Sequence, residues 1–169
     1  MADESQVRAM IDAEAIELDL TADDRDAAIL ELANRLALVG RIDDPAAITA
    51  AALVREAIGS TNVGFGVAIP HAKSDHVTRA GFAFGRRAGG VRWPGDAVAD
   101  AGEPGDESGA DNRVDLVFLI ASPAQASDDH LRMLAALARS LMHEEFRDAL
   151  RTTATREETI TLLATTLAG

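Results

Sequence analysis

Apolar residues recur along this chain in two rhythms. Ile16, Leu18 and Leu20 alternate with Glu17 and Asp19, the period of a half-buried strand. From Ala27 to Val39 the spacing lengthens. Ile29, Leu32, Ala33, Leu36 and Val39 recur every three or four positions, which predicts a helix. Thr21, Asp23 and Asp24 supply start chemistry for it, and Gly40 supplies a stop. Asp44-Pro45 predicts a second helix through about Ile58, with Ile48, Ala51 and Ala52 on its apolar side and Gly59 ending it. Short strands are expected at Gly66–Ile69 and from Ala80 to Gly85. Val114–Ile120 is nearly all apolar, as in a strand covered on both faces. Ser122-Pro123 breaks that run. Ser127-Asp128-Asp129 then heads a helix to about Met142, with Leu131, Leu134, Leu137, Ala138 and Leu141 as its stripe. Helices near His143–Leu150 and Thr155–Leu167 complete the chain. This alternation predicts an α/β fold, a three-layer sandwich in which a mixed, mostly buried sheet carries helices on both faces.

One stretch has neither rhythm. Residues 95–112 are dominated by glycine, aspartate and glutamate, and the break is expected to begin at Gly89-Gly90. Such a segment buries too little apolar surface to offset its ordering entropy, so a flexible acidic loop is expected there. The whole of residues 1–169 otherwise reads as one domain.

Charge narrows the possibilities. The net charge is −12, and Lys73 is the sole lysine among 16 basic residues. Nucleic-acid binders need clustered cations to displace counterions, and anionic membranes need them too, so both classes are disfavoured. High acidity with little lysine also resembles proteins of salt-loving organisms; an acidic protein from an arginine-rich coding background is the alternative. No cysteine occurs, no apolar run reaches membrane-spanning length, and the acidic N-terminus is unlike a signal peptide. A cytoplasmic protein is expected.

The four histidines carry the candidate chemistry. His71 follows Gly64-Phe65-Gly66-Val67-Ala68-Ile69-Pro70, so a strand is expected to stop at the proline and present one imidazole beyond its end. Ligands favour that edge of an open α/β sheet. A loop histidine satisfied by backbone groups is the plain alternative. His130 falls in the first turn of a helix and shares a face with Leu134, Leu137 and Leu141, so its ring should point toward the protein body. Its plain alternative is a capping role. His76 and His143 read as exposed. Arg55, near the end of the second helix, offers either a surface ion pair or a donor fork for a phosphoryl group. No zinc-protease, Walker or nucleophile-elbow pattern is present.

Taken together, Arg55-Glu56, Ser60-Thr61, Gly64 to His71, Val114 to Ala121 and Asp129-His130-Leu131-x-x-Leu134 resemble the enzyme IIA domain of the fructose/mannitol class in the phosphoenolpyruvate-dependent sugar phosphotransferase system. The resemblance spans about Ile16 to Leu163. It implies a phosphocarrier with a phosphohistidine intermediate. His71 would accept the phosphoryl group through Nε2, His130 and Arg55 would stabilise it, and Thr61 matches a position near the site. It implies no cofactor and no metal. The implied donor is the histidine-containing phosphocarrier protein, and the acceptor is enzyme IIB, linked to a membrane permease for a sugar, fructose above all. Apolar contacts around Phe65 and Ile69 are expected to help docking. A regulatory, nitrogen-related enzyme IIA is the alternative, and a metal hydrolase built on His71 and His130 is a third reading.

Overall fold

The structure, a computed structural model, describes residues 3–94, 113–125 and 128–168. The expected loop at 95–112 and the capping residue Ser127 lie outside them. A short helix α1 (Glu4–Arg8) and a 3-10 turn (Ala13–Ala15) precede β1 (Ile16–Glu17). Helices α2 (Arg25–Leu38) and α3 (Pro45–Ile58) follow, then β2 (Asn62–Gly64), β3 (Val67–Ala68), β4 (His71–Lys73), β5 (Gly81–Arg92) and β6 (Arg113–Ser122). Helices α4 (Asp128–Ser140), α5 (Glu144–Thr152) and α6 (Arg156–Ala168) close the chain.

Capping explains why α2 and α3 begin where they do. The Asp24 carboxylate accepts from the Ala27 amide, and that of Asp44 from the Ala47 amide, with Pro45 opening the first turn of α3. Each interaction satisfies an amide that has no partner inside the helix.

The six strands form one mixed sheet in the order β1-β5-β6-β3-β2, with β4 also on β6. The β5–β6 pair is antiparallel, while β1 on β5 and β3 and β4 on β6 are parallel. Strand β6 sorts its side chains between two cores. Val117, Leu119 and Ala121 join Ile29, Leu32, Leu36, Ile48 and Ala52 of α2 and α3. Leu116, Phe118 and Ile120 join Met133, Leu137, Phe146, Leu150 and Leu163 from α4, α5 and α6. The three-layer mixed architecture follows from that alternation of an all-apolar strand.

Four expectations need correction. The alternating strand at Ile16–Leu20 is only two residues long. Beyond Glu17 the chain crosses the sheet edge: Ile16 enters one core and Leu20 the other. Strand β5 does not end at Gly85. Gly89 and Gly90, both near φ +85, build a bulge, and pairing resumes at Val91↔Val114. The strand before His71 does not stop at Pro70. Val67↔Leu116 and His71↔Ile120 keep one register, because Pro70 lacks an N–H yet its carbonyl still accepts from the Ile120 amide at 2.9 Å. His71 is therefore the first residue of β4 and not a loop residue. Lastly, on α4, Leu131 is 54% exposed and Ala138 is exposed, while His130, Met133 and Leu137 are buried. The buried face is rotated by one position relative to the leucine stripe.

Candidate functional site

A cavity of about 380 Å³ opens where β4 and the end of β6 meet α3 from one layer and α4 from the other. His71, Lys73 and Ser122 line it from the sheet, Arg55 and Ile58 from α3, and Leu131 from α4. His71 and Lys73 are two apart on a strand, so they project on the same side, while Ala72 between them enters the core.

The His71 ring is half-buried, and its Nδ1 is withdrawn from solvent with no partner at hydrogen-bond geometry. Burial holds the ring's pKa below its ordinary 6.5, and the Arg55 guanidinium pushes the same way. The Ile69 carbonyl and the Glu56 carboxylate oppose this and favour the protonated ring, but burial dominates. The carbonyl acts on the ring as an electrostatic neighbour, short of full hydrogen-bond geometry. His71 is thus a neutral imidazole near pH 7.

Arg55 donates from Nη1 to the Gly59 carbonyl at 2.8 Å, which closes the end of α3 and aligns the guanidinium over the cavity wall. The Lys73 side chain makes no hydrogen bond or ion pair among the described residues. Two cations thus line one pocket of a protein whose net charge is −12.

His130 is 4% exposed and does not line the cavity. Its Nε2 lies 2.7 Å from the Ser122 hydroxyl, and Ser122 does line it. Burial, then the charge of His71, lowers the His130 pKa, so the two rings are electrostatically coupled. Thr61 is placed differently. It is buried, and both its amide and its hydroxyl donate to the Glu56 carboxylate, away from the cavity. The structure therefore brings together His71 and Arg55 at the surface of the pocket, with His130 one side chain beneath it and Thr61 outside its lining.

His76 and His143 are exposed. His76 pairs with Asp43 at 2.7 Å, which raises its pKa. Phe65, at the β2–β3 turn, lies at the other end of the strand from His71; the extended run from Val67 to His71 alone spans about 13 Å. There Arg147 sits over its ring, 4.3 Å from the centroid. Ile69 is partly buried against the core. The apolar rim of the cavity is instead Val54, Ile58 and Leu131, exposed at 66%, 81% and 54%.

Ser122 and Lys73 were not singled out from sequence as site residues. Ser122 reads as a strand breaker before Pro123, although it is the first hydroxyl after an apolar run and so sits at the sheet edge. Lys73 stands out in composition, and its i+2 spacing from His71 was the available signal. Among the described residues, no three His, Asp or Glu side chains gather into a metal-binding cluster, and no helix is long and apolar enough to cross a membrane.

Comparison with known proteins identifies the family and the fold. Residues 9–165 match the family model described as phosphoenolpyruvate-dependent sugar phosphotransferase system, EIIA 2. A fructose-specific EIIA component of the phosphotransferase system from Haloferax volcanii is 39% identical over 137 residues, covering 81% of this chain and 80% of that protein. The fructose-specific EIIABC component of Bacillus subtilis is 36% identical over 80% of this chain, which spans 19% of that longer protein. Among solved structures, the nitrogen regulatory protein IIA-Ntr of Neisseria meningitidis superposes with a TM-score of 0.77 at 26% identity, covering 93% of this chain and 98% of that one. The Escherichia coli enzyme IIAMTL, solved in complex with phosphorylated enzyme IIBMTL, gives 0.71 at 25% identity, covering 92% and 97%. The family model covers nearly the whole chain and the Haloferax volcanii relative aligns over four fifths of both proteins: this chain belongs to the EIIA 2 family of the phosphoenolpyruvate-dependent sugar phosphotransferase system.

Proposed function

We propose that His71 accepts a phosphoryl group through Nε2 from the histidine-containing phosphocarrier protein and passes it to an enzyme IIB during sugar uptake, with fructose the favoured sugar. The observation that carries this is the placement of the His71 ring: half-buried, its Nδ1 withdrawn from solvent, at a cavity walled by two cations, where burial favours the neutral form. With Nδ1 withdrawn, Nε2 is the nitrogen left to face the cavity. Its lone pair requires the proton to sit on Nδ1, and the nearby Ile69 carbonyl favours a proton-bearing ring.

Phosphoryl transfer asks for in-line positioning and charge stabilisation. The bond from phosphorus to the donor's imidazole breaks as the bond to His71 Nε2 forms, and the donor nitrogen leaves with its electron pair. Arg55 and Lys73 meet the charge on the phosphoryl oxygens, the first as a fork and the second as a point charge. Ser122 offers a hydroxyl to the same group, oriented by His130. Phosphoramidate replaces phosphoramidate, so transfer potential is retained for the enzyme IIB acceptor. Val54, Ile58 and Leu131 supply the apolar rim against which a transient partner docks. These partners place the protein in the cytoplasm.

The fructose assignment rests on the relatives from Haloferax volcanii and Bacillus subtilis. The likeness to IIA-Ntr favours a second reading, in which the phosphorylation state of His71 regulates binding to other proteins. Incubation with phosphoenolpyruvate, enzyme I and the carrier should add one acid-labile phosphoryl group, mapped to the His71 peptide. His71→Ala should abolish it. His130→Ala should retain part of the acceptance and lose onward transfer to enzyme IIB. A label on any other residue overturns the assignment, and acceptance without transfer to any enzyme IIB selects the regulatory reading.

A further inference from the structure

We propose that Glu56 is a positioning residue for His71, clamped in place by Thr61 and Trp93; this rests on the phosphocarrier reading above. Glu56 is a carboxylate only 6% exposed, one residue from Arg55 on α3. An ionised side chain so buried needs hydrogen bonds on its oxygens. Glu56 has them from two directions. The Trp93 indole N–H donates to Oε1 at 3.1 Å. The Thr61 amide reaches both oxygens at 3.2 and 3.1 Å, and the Thr61 hydroxyl donates to Oε2. Trp93, wholly buried, comes from just beyond the end of β5. The carboxylate thus ties α3, the start of the β2–β3 hairpin and the end of β5 to one point.

The tie leads to the site along the backbone. The Thr61 carbonyl accepts from the Ile69 amide at 3.1 Å. Ile69 carries the carbonyl that acts on the His71 ring, and Pro70 has a fixed φ. Holding Thr61 therefore holds Ile69, and Ile69-Pro70 leaves little freedom to His71. The charged groups that act on the ring are Arg55 and Glu56 of α3, with His130 of α4 coupled to it; Lys73 of β4 shares its cavity. Glu56 therefore has two separable effects, a fixed position and a fixed negative charge.

Glu56→Gln keeps the shape and removes the charge. Removing a negative charge near an imidazole lowers its pKa further, so the acid limb of phosphoryl acceptance should move to lower pH. A loosened His71 should also lower the plateau above pH 7 about tenfold, within the range that small misplacements cost. Trp93→Phe deletes one donor and keeps the charge, so the plateau should fall while the acid limb stays. Lost stability alone would not move the acid limb. His71 ring titration by NMR reads the charge effect independently of any labelling. Glu56→Gln with an unmoved titration and an unchanged plateau overturns the proposal. Should Glu56→Gln not fold, Thr61→Val compared with Thr61→Ser decides: a plateau lost in the first and restored in the second supports the clamp, and equal plateaus overturn it. Wild-type protein that takes no label on His71 sinks the phosphocarrier reading instead, and the NMR titration still tests the charge effect of Glu56.

Discussion

The protonation of the His71 ring depends on an imbalance among neighbours. Burial and Arg55 depress its pKa below 6.5, and the Ile69 carbonyl and Glu56 only partly restore it. On the phosphocarrier reading, protonation blocks the ring only below its ordinary 6.5, so as the pH falls from 8 to 5 phosphoryl acceptance should reach half-maximal loss below 6.5. Rates across that range with saturating phosphorylated carrier check this, and half-maximal loss above pH 6.5 would contradict the buried ring. The same shift is linked to stability. In the unfolded chain the ring binds a proton near 6.5, whereas the folded ring resists it, so the folded state loses stability as the pH drops from 6.5 through the lower folded value. His130 is depressed for the same chief reason and acts in the same direction. His76 is raised by Asp43 and acts oppositely, but that pair lies in solvent. Sequence located both inner histidines because each follows a local rule: a proline before His71, a helical face for His130. The Ser122–His130 contact was not legible. It joins positions eight apart across a strand end and a helix start, and no spacing rule encodes that meeting.

The elements read best from sequence are those whose ends carry local chemistry. Helices α2 and α3 begin at Asp24 and Asp44 because those carboxylates cap them, and Pro45 adds a fixed dihedral. Strands were less legible, because their limits are set by partners distant in sequence. Gly89-Gly90 signals a break locally, yet β6 captures Val91 and Arg92 beyond the bulge. Pro70 signals a stop, yet the ladder passes through it on its carbonyl. The β2–β3 hairpin shows how glycine can be demanded by both backbone and space. Gly64, Phe65 and Gly66 all have positive φ, and a Cβ on Gly66 would lie 2.6 Å from Asp115 Oδ1 and 3.1 Å from the Arg151 guanidinium. Those two groups form a two-pronged pair, at 2.6 and 3.0 Å, that also holds the Phe65 carbonyl. Gly66→Ala therefore meets an unfavourable backbone and a displaced ion pair together. It should cost about 1–3 kcal/mol by chemical denaturation. The turn lies at the opposite end of the strand from His71, so the folded variant should accept phosphoryl groups at the wild-type rate. A loss of acceptance out of proportion to the lost stability would show that the two ends of β3 and β4 are coupled.

At the scale of the molecule, the acidic surface sets the conditions under which the site works. A net charge of −12 on 169 residues stores self-repulsion in the compact state. Several carboxylates are neutralised locally: Glu17 by Arg35, Asp12 by Arg41, Asp23 by Arg87 and Asp115 by Arg151. The excess is not, and mobile cations must screen it. The screening length is about 10 Å at 0.1 M salt and about 3 Å at 1 M, so exposed carboxylates cease to sense one another only toward the upper value. The melting temperature should therefore rise as sodium chloride goes from 0.05 to 1 M, by several degrees if relief of repulsion is worth about 1 kcal/mol. The pairs whose carboxylates are half-buried, those of Glu17, Asp12 and Asp115, are screened less and should change little, so the rise reports the exposed surface. Continued gain from 1 to 3 M would exceed what screening can supply, because little repulsion remains to relieve, and would point to hydrated cations held by the acidic surface. A flat or falling melting temperature across the lower range would mean that the local pairs already balance the charge. Docking responds to the same variable in the opposite sense. Arg55 and Lys73 form a small cationic focus in an acidic field, and on the phosphocarrier reading salt would weaken their pull on a phosphorylated partner while leaving any contacts made by Val54, Ile58 and Leu131 intact. Association rates with the phosphorylated carrier should thus fall modestly over 0.05 to 1 M and then level off, at a floor set by the apolar rim.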